Sequence, residues 1–100
     1  MILREKDRLK LIEIFSEIPL SYEVWAYGSR VNGDAHSGSD LDLVIRTFDN
    51  EIFPNQFYHK LKENIRESNI PFLVDLFLWH QLPESFHKNI EIKHEVLFSK

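Results

Sequence analysis

Apolar residues recur at helical spacing in some stretches of this chain and cluster in short dense runs in others. Leu11, Ile14, Phe15 and Ile18 fall on one helical face, so residues ~4–18 are expected to form an amphipathic helix that Pro19 stops. "YEVWAY", Tyr22 to Tyr27, is rich in β-formers and predicts a strand, and "LDLVI", Leu41 to Ile45, predicts a second. From Pro54, a favourable first helical residue, Phe57, Tyr58, Leu61 and Ile65 mark another helical face, closed by Pro71. "FLVDLFLW", Phe72 to Trp79, is a nearly continuous apolar run of strand length, the pattern of a strand buried on both faces. Pro83 to about His94 predicts a last helix, and "EVLF", Glu95 to Phe98, a short terminal strand. No repeat, low-complexity tract or linker interrupts the series. The alternation predicts one layered domain over residues 1–100, with helices packed against a sheet.

Composition removes several function classes. The 100 residues are 43% hydrophobic and 13% aromatic, a globular rather than a disordered composition. A net charge of −4 argues against a general nucleic-acid binder, because phosphate contact needs a basic surface. The absence of cysteine removes disulfides, thiolate catalysis and Cys-type zinc sites together. "MILREKDRLK" carries charges where a signal peptide needs an apolar core, and no apolar run approaches the ~18 residues of a membrane span. A cytoplasmic protein without membrane contact is expected.

The chemistry concentrates in "AYGSRVNGDAHSGSDLDLVI", Ala26 to Ile45, which holds Gly28, Gly33 and Gly38, all the glycine of the chain. If residues 40–45 form a strand, Asp40 and Asp42 share one face with Cα atoms about 6.5–7 Å apart. Both can lean toward one cation; without it, like charges this close repel and raise one pKa. Asp75 is the single charged residue of "FLVDLFLW". A carboxylate in such a strand needs a cation or several hydrogen bonds, and pairing with an Arg or Lys is the plain structural alternative. Neighbouring strands lie ~4.8 Å apart, so Asp75 joins Asp40 and Asp42 if the two strands pair. Three carboxylates would make an all-oxygen site suited to Mg²⁺ or Mn²⁺ rather than zinc.

Gly28-Ser29 at the end of a strand offers backbone N–H groups and a hydroxyl to phosphate, with Arg30 beside them for more distal oxygens. It is not a P-loop, since no Lys-Ser/Thr follows Gly33, and the glycine spacing is wrong for a dinucleotide fingerprint. Phosphate-holding backbone, two alternating acids and a third acid on another strand together form a layout for nucleotidyl transfer. Other chemistries fall away. His80, His87 and His94 repeat every seven residues, about 10.5 Å along a helix, too far for two imidazoles to share an ion. There is no HExxH and no GxSxG. The histidines are expected as a polar helix margin, and "REKDRLK", Arg4 to Lys10, as a solvated helix face.

Gly28-Ser29, ten intervening residues and Asp40-Leu41-Asp42 resemble the GS-x10-DxD signature of the DNA polymerase beta-type nucleotidyltransferase superfamily. With an apolar strand before the signature and an acid-bearing strand after it, roughly Val24 to Phe98 is similar to the minimal nucleotidyltransferases, the MNT group. The resemblance implies an α+β fold, a small mixed β-sheet with helices packed mainly on one face, where alternation alone would suggest a purely parallel sheet. It implies that Asp40 and Asp42 bind both metals of a two-Mg²⁺ (or Mn²⁺) site. Asp75 would complete one metal site and help deprotonate the attacking hydroxyl. Gly28 and Ser29 would hold nucleotide phosphates, Arg30 would assist, and Ser39 would join this nucleotide-binding set through local hydrogen bonds. The implied substrate is ATP, and the implied acceptor is a tyrosine of a HEPN-type helical partner, modified in an antitoxin-like role. The chain would then work in a hetero-complex or a homo-oligomer. Two other classes stay open: a nucleotide- or partner-binding subunit without catalysis, and a small-molecule (antibiotic-type) nucleotidyltransferase. One departure stands out. Many relatives carry a second basic residue where Asn32 stands, and another near His36.

Overall fold

Alternation along the first strand decides which way the sheet faces. In the computed structural model, which describes residues 1–33, 35–36 and 38–100, Tyr22, Val24 and Ala26 of β1 (Tyr22–Tyr27) are fully buried. Glu23, Trp25 and Tyr27 point to the opposite face and are half-buried. The order is α1 (Glu5–Ser16), β1, the one-turn α2 (Ser29–Asn32), β2 (Leu41–Thr47), α3 (Asn55–Glu67), β3 (Val74–Leu78), a 3₁₀ turn (Trp79–Gln81), α4 (Glu84–Ile92) and β4 (Glu95–Ser99). The strands lie in the order β3-β2-β1-β4. β1 pairs antiparallel with both β2 and β4, and β2 pairs parallel with β3. The mixed sheet follows from the connections: α3 makes a crossover between β2 and β3, whereas β1 returns into β2 without one. Leu11 and Phe15 of α1 and Tyr58, Leu61 and Ile65 of α3 close the core over Val24, Leu43, Ile45 and Leu76. Burial of each such side chain is worth roughly 1.5–3 kcal/mol.

Three expectations change. The run Phe72–Trp79 is buried on one face only. β3 is an edge strand, with Leu76 and Leu78 inside but Leu73 63% and Phe77 37% exposed. The continuous apolar pattern therefore marks a covered face and an open apolar lip rather than a central strand. Second, the charged face of α1 is not wholly solvated. Asp7 is buried, and its carboxylate accepts hydrogen bonds from Arg4 Nε at 2.9 Å and Nη2 at 3.2 Å. Third, His87 and His94 are not a polar margin. They stack on Trp79 and Trp25 at 4.0 and 3.8 Å, while Arg46 lies over both indoles at 3.9 and 4.6 Å. His87 lies on α4 and His94 in the link between α4 and β4, and the tertiary fold brings an indole to each.

Two buried tyrosines tie helix to sheet. Tyr22 Oη donates to Phe15 O at 2.6 Å and Tyr58 Oη to Leu76 O at 2.7 Å. Burial raises both phenol pKa values above the ordinary 10.0. The folded state thus holds these protons more tightly than the unfolded chain, so their contribution is complete below pH 10 and is lost as pH rises toward the folded values. Urea midpoints measured from pH 7 to 11 should fall above about 10, with a shallower fall in Tyr22→Phe, which itself costs about 1 kcal/mol.

Candidate active site

β1 ends at Tyr27, and the chain turns sharply at Gly28, with φ 81° and ψ −155°. L-residues with a side chain essentially avoid that region. Space enforces the same choice, because a Cβ on Gly28 would overlap Oδ2 of Asp42. α2 starts at once, with Gly28 O accepting from Val31 N at 3.0 Å and Asn32 N at 2.9 Å. Gly33, at φ 87°, closes the turn and donates to Ser29 O at 3.1 Å.

Register brings the acids together. Tyr27 is opposite Asp42 in the β1–β2 pair, and Asp42 is opposite Asp75 in the β2–β3 pair. Leu41 N donating to Leu73 O at 2.9 Å pins the start of that parallel pair. Asp42 and Asp75 therefore stand on one face of adjacent strands, roughly 4.8 Å apart along the sheet. Asp40 precedes β2 and is exposed at the end of the same row. Burial raises the Asp42 pKa, and the neighbouring charges of Asp75 and then Asp40 raise it further. Tyr27 is pushed up to about 12, first by burial and then by Asp42 and Asp75. This is the repulsion expected of close carboxylates. Among the described residues, no three His, Cys, Asp or Glu side chains already converge as an ion cage. The donor set nonetheless fits a hard divalent cation: three carboxylates whose mutual repulsion a cation relieves, with solvent access at Asp40 for water ligands.

Ser39 hydrogen-bonds locally, its Oγ accepting from His36 N at 3.1 Å and its N–H donating to His36 O at 3.0 Å. Arg30, expected beside phosphate, is packed into the fold. It is 2% exposed, and its guanidinium turns inward, with Nε donating to Ser39 O at 2.9 Å and Nη1 donating to Ile2 O. It also lies 4.0 Å over the Phe72 ring. Burial lowers its pKa while Asp7 and Asp40 oppose the shift. One side chain thus holds the residue before Asp40, the N-terminal segment and the approach to β3. Arg30→Lys keeps the charge but loses the planar fork, and is expected to cost about 1–3 kcal/mol of stability. It should lower kcat with little change in nucleotide KM, as steady-state kinetics on the folded variant would read; a phosphate contact would instead raise KM.

Sequence reasoning missed the wall opposite Gly28. Tyr27, Gly28, Asn32, Phe86, Asn89, Ile90 and Lys93 line a pocket of about 200 Å³. The i, i+4 pairs Phe86–Ile90 and Asn89–Lys93 were visible as one helical face. Nothing in the sequence said which strand end that face would meet.

Residues 9–100 match the family described as "Polymerase beta, Nucleotidyltransferase". The chain belongs to this family. Over 99 residues it is 38% identical to the "Probable protein adenylyltransferase MntA" of Haemophilus influenzae, covering 96% of this chain and 83% of that protein. Two solved structures share the fold. A toxin–antitoxin crystal structure with AMP-PNP superposes with a TM-score of 0.71 at 19% identity, covering 94% of this chain and 74% of that one. A candidate nucleotidyltransferase from Sulfolobus solfataricus gives 0.56 at 18% identity, covering 94% and 78%. The α+β fold of this minimal nucleotidyltransferase is thus a polymerase beta-type fold, as the Gly-Ser and Asp-x-Asp pattern implied. Among the described residues, no helix of this nucleotidyltransferase is long and apolar enough to cross a membrane.

Proposed function

We propose that this nucleotidyltransferase moves AMP from ATP to a hydroxyl of a separate protein, a tyrosine of a HEPN-type helical partner, as the inactivating half of a toxin–antitoxin pair in the cytoplasm. The observation that carries the reading is the register pairing of Asp42 with Asp75 directly beside Gly28. The relative at 38% identity, called a probable protein adenylyltransferase, supports protein as the acceptor class. The AMP-PNP and toxin–antitoxin context of a structural neighbour supports ATP and a protein partner.

Asp40, Asp42 and Asp75 would hold divalent metal, Mg²⁺ by their oxygen chemistry. Bound there, the metal supplies charge to steady the triphosphate and the oxygens that attack and leave. Gly28 lets the nucleotide phosphates approach the backbone without a Cβ in the way, and Ser29 offers its hydroxyl. Asp75 takes the proton of the acceptor hydroxyl as its oxygen attacks the α-phosphorus. The bond between the α-phosphorus and the bridging oxygen breaks, AMP stays on the acceptor, and pyrophosphate leaves. Leu73, just before the edge strand, and Phe77 on it are exposed on either side of Asp75 and leave that side of the carboxylates open to an acceptor from another chain.

The test is incubation with α-³²P-labelled ATP, Mg²⁺ and the product of the adjacent gene, both proteins folded. Label on a partner tyrosine, absent with Asp42→Asn, is the expected result. Label appearing on small hydroxyl compounds but never on protein would overturn the protein-acceptor reading.

A further inference from the structure

We infer that the pocket between β1 and α4 is the nucleoside subsite, with the ring of Phe86 stacking on the base and Lys93 supplying the cation that Asn32 does not. This rests on the nucleotidyl-transfer reading and goes beyond it, to which residues hold the base. The pocket shares Gly28 with the phosphate-approach point, so a nucleotide lying against Gly28 extends into it. At about 200 Å³ it is smaller than the roughly 300–1,000 Å³ of pockets that enclose a whole ligand, so it receives one moiety.

Its chemistry selects that moiety. Tyr27 and Phe86 present aromatic rings and Ile90 an apolar floor, while Asn32 and Asn89 carry amides that both donate and accept. A flat heterocycle with polar edges satisfies both sets; a phosphate satisfies only the amides. Phe86 is 47% exposed, an aromatic ring left at the surface, and it follows Pro83 in the first turn of α4. Lys93 caps the other end of that helix, its N–H donating to Asn89 O at 3.2 Å. Its ammonium is the one charged group among the pocket's described lining residues, and it offsets the three carboxylates that an anionic nucleotide must approach. Phe86, Asn89 and Ile90 follow i, i+3, i+4 spacing on one face of α4, and Lys93, just past its last turn, completes the wall.

The test uses isothermal titration with two probes in Mg²⁺: α,β-methylene ATP, which cannot transfer AMP with loss of pyrophosphate, and inorganic tripolyphosphate, which has no nucleoside. Phe86→Ala and Phe86→Leu are expected to weaken the ATP analogue about 5- to 50-fold, the range of a lost base stack, and to leave tripolyphosphate within twofold. Lys93→Gln should weaken both probes, with the loss shrinking as salt rises. Phe86 is exposed enough that both variants should keep the parental Tm. If both Phe86 variants bind the analogue within twofold of the parent, or lose both probes equally, the nucleoside assignment is wrong while nucleotidyl transfer stands. If the parent binds neither probe and labels no acceptor, the transferase reading itself fails.

Discussion

Asp42→Asn is expected to abolish nucleotidyl transfer while making the metal-free protein more stable. The carboxylate is half-buried, faces Asp75 across the β2–β3 pair and feels Asp40 as well, and all three effects raise its pKa. An amide of the same size removes the repulsion and the cost of a desolvated charge, so the Tm without metal should rise. In a domain of this size each 1 kcal/mol moves Tm by about 4–8 °C. In the proposed site the same change removes an oxygen donor for metal, and loss of one such electrostatic stabiliser costs on the order of 10³-fold in kcat. Thermal shifts with and without Mg²⁺-ATP, beside single-turnover transfer, give both readings. The parent should gain stability from Mg²⁺-ATP and the variant should not. A variant that loses stability yet keeps transfer would show that Asp42 is a structural charge and no part of the metal site.

Gly28→Ala carries the second large effect. Its φ of 81° and ψ of −155° cost a residue with a Cβ about 1–3 kcal/mol. The new methyl also has nowhere to go, since Asp42 Oδ2 occupies its place. Either the carboxylate rotates away or the turn shifts, and displacement of about 1 Å at a reacting centre costs roughly 10²-fold. Activity per folded molecule should therefore fall far more than stability. Gly33→Ala is the matched control. Its φ of 87° also strains a residue with a Cβ, in the milder left-handed region, but a Cβ there meets nothing within 4 Å among the described residues. That variant should lose stability and keep most of its transfer rate; equal loss of activity in both would detach the effect from the Asp42 contact.

Much of this molecule can be read without coordinates, and the limits are physical. Helices and strands were legible because their signals are local: Leu11 to Ile18 and Phe57 to Ile65 give helical faces, and Tyr22 to Tyr27 is rich in β-formers. The acids were legible because Asp40-Leu41-Asp42 and Asp75 are exceptional in strand-like surroundings, and Gly28-Ser29 stands a fixed distance before them. The burial of Phe72–Trp79 was misread because apolar continuity does not distinguish a central strand from an edge strand with an open lip. The inward contacts of Arg30 were hidden for a related reason. A cation beside Gly-Ser looks like a phosphate ligand until the fold brings Ser39 O, Ile2 O and the Phe72 ring within its reach.

The sequence by itself determined the element order, the family pattern and the candidate acids, since these depend on residue type and spacing along the chain. Only the tertiary structure decided the register that sets Asp42 against both Tyr27 and Asp75, and the contact that forbids a side chain at Gly28. It alone turned Arg30 inward, stacked His87 and His94 on the two indoles, and brought Phe86 and Lys93 into one pocket with Gly28. Each joins residues far apart in the chain, or turns a local side chain toward a distant partner. Such pairings are chosen by packing and strand register rather than by local preference.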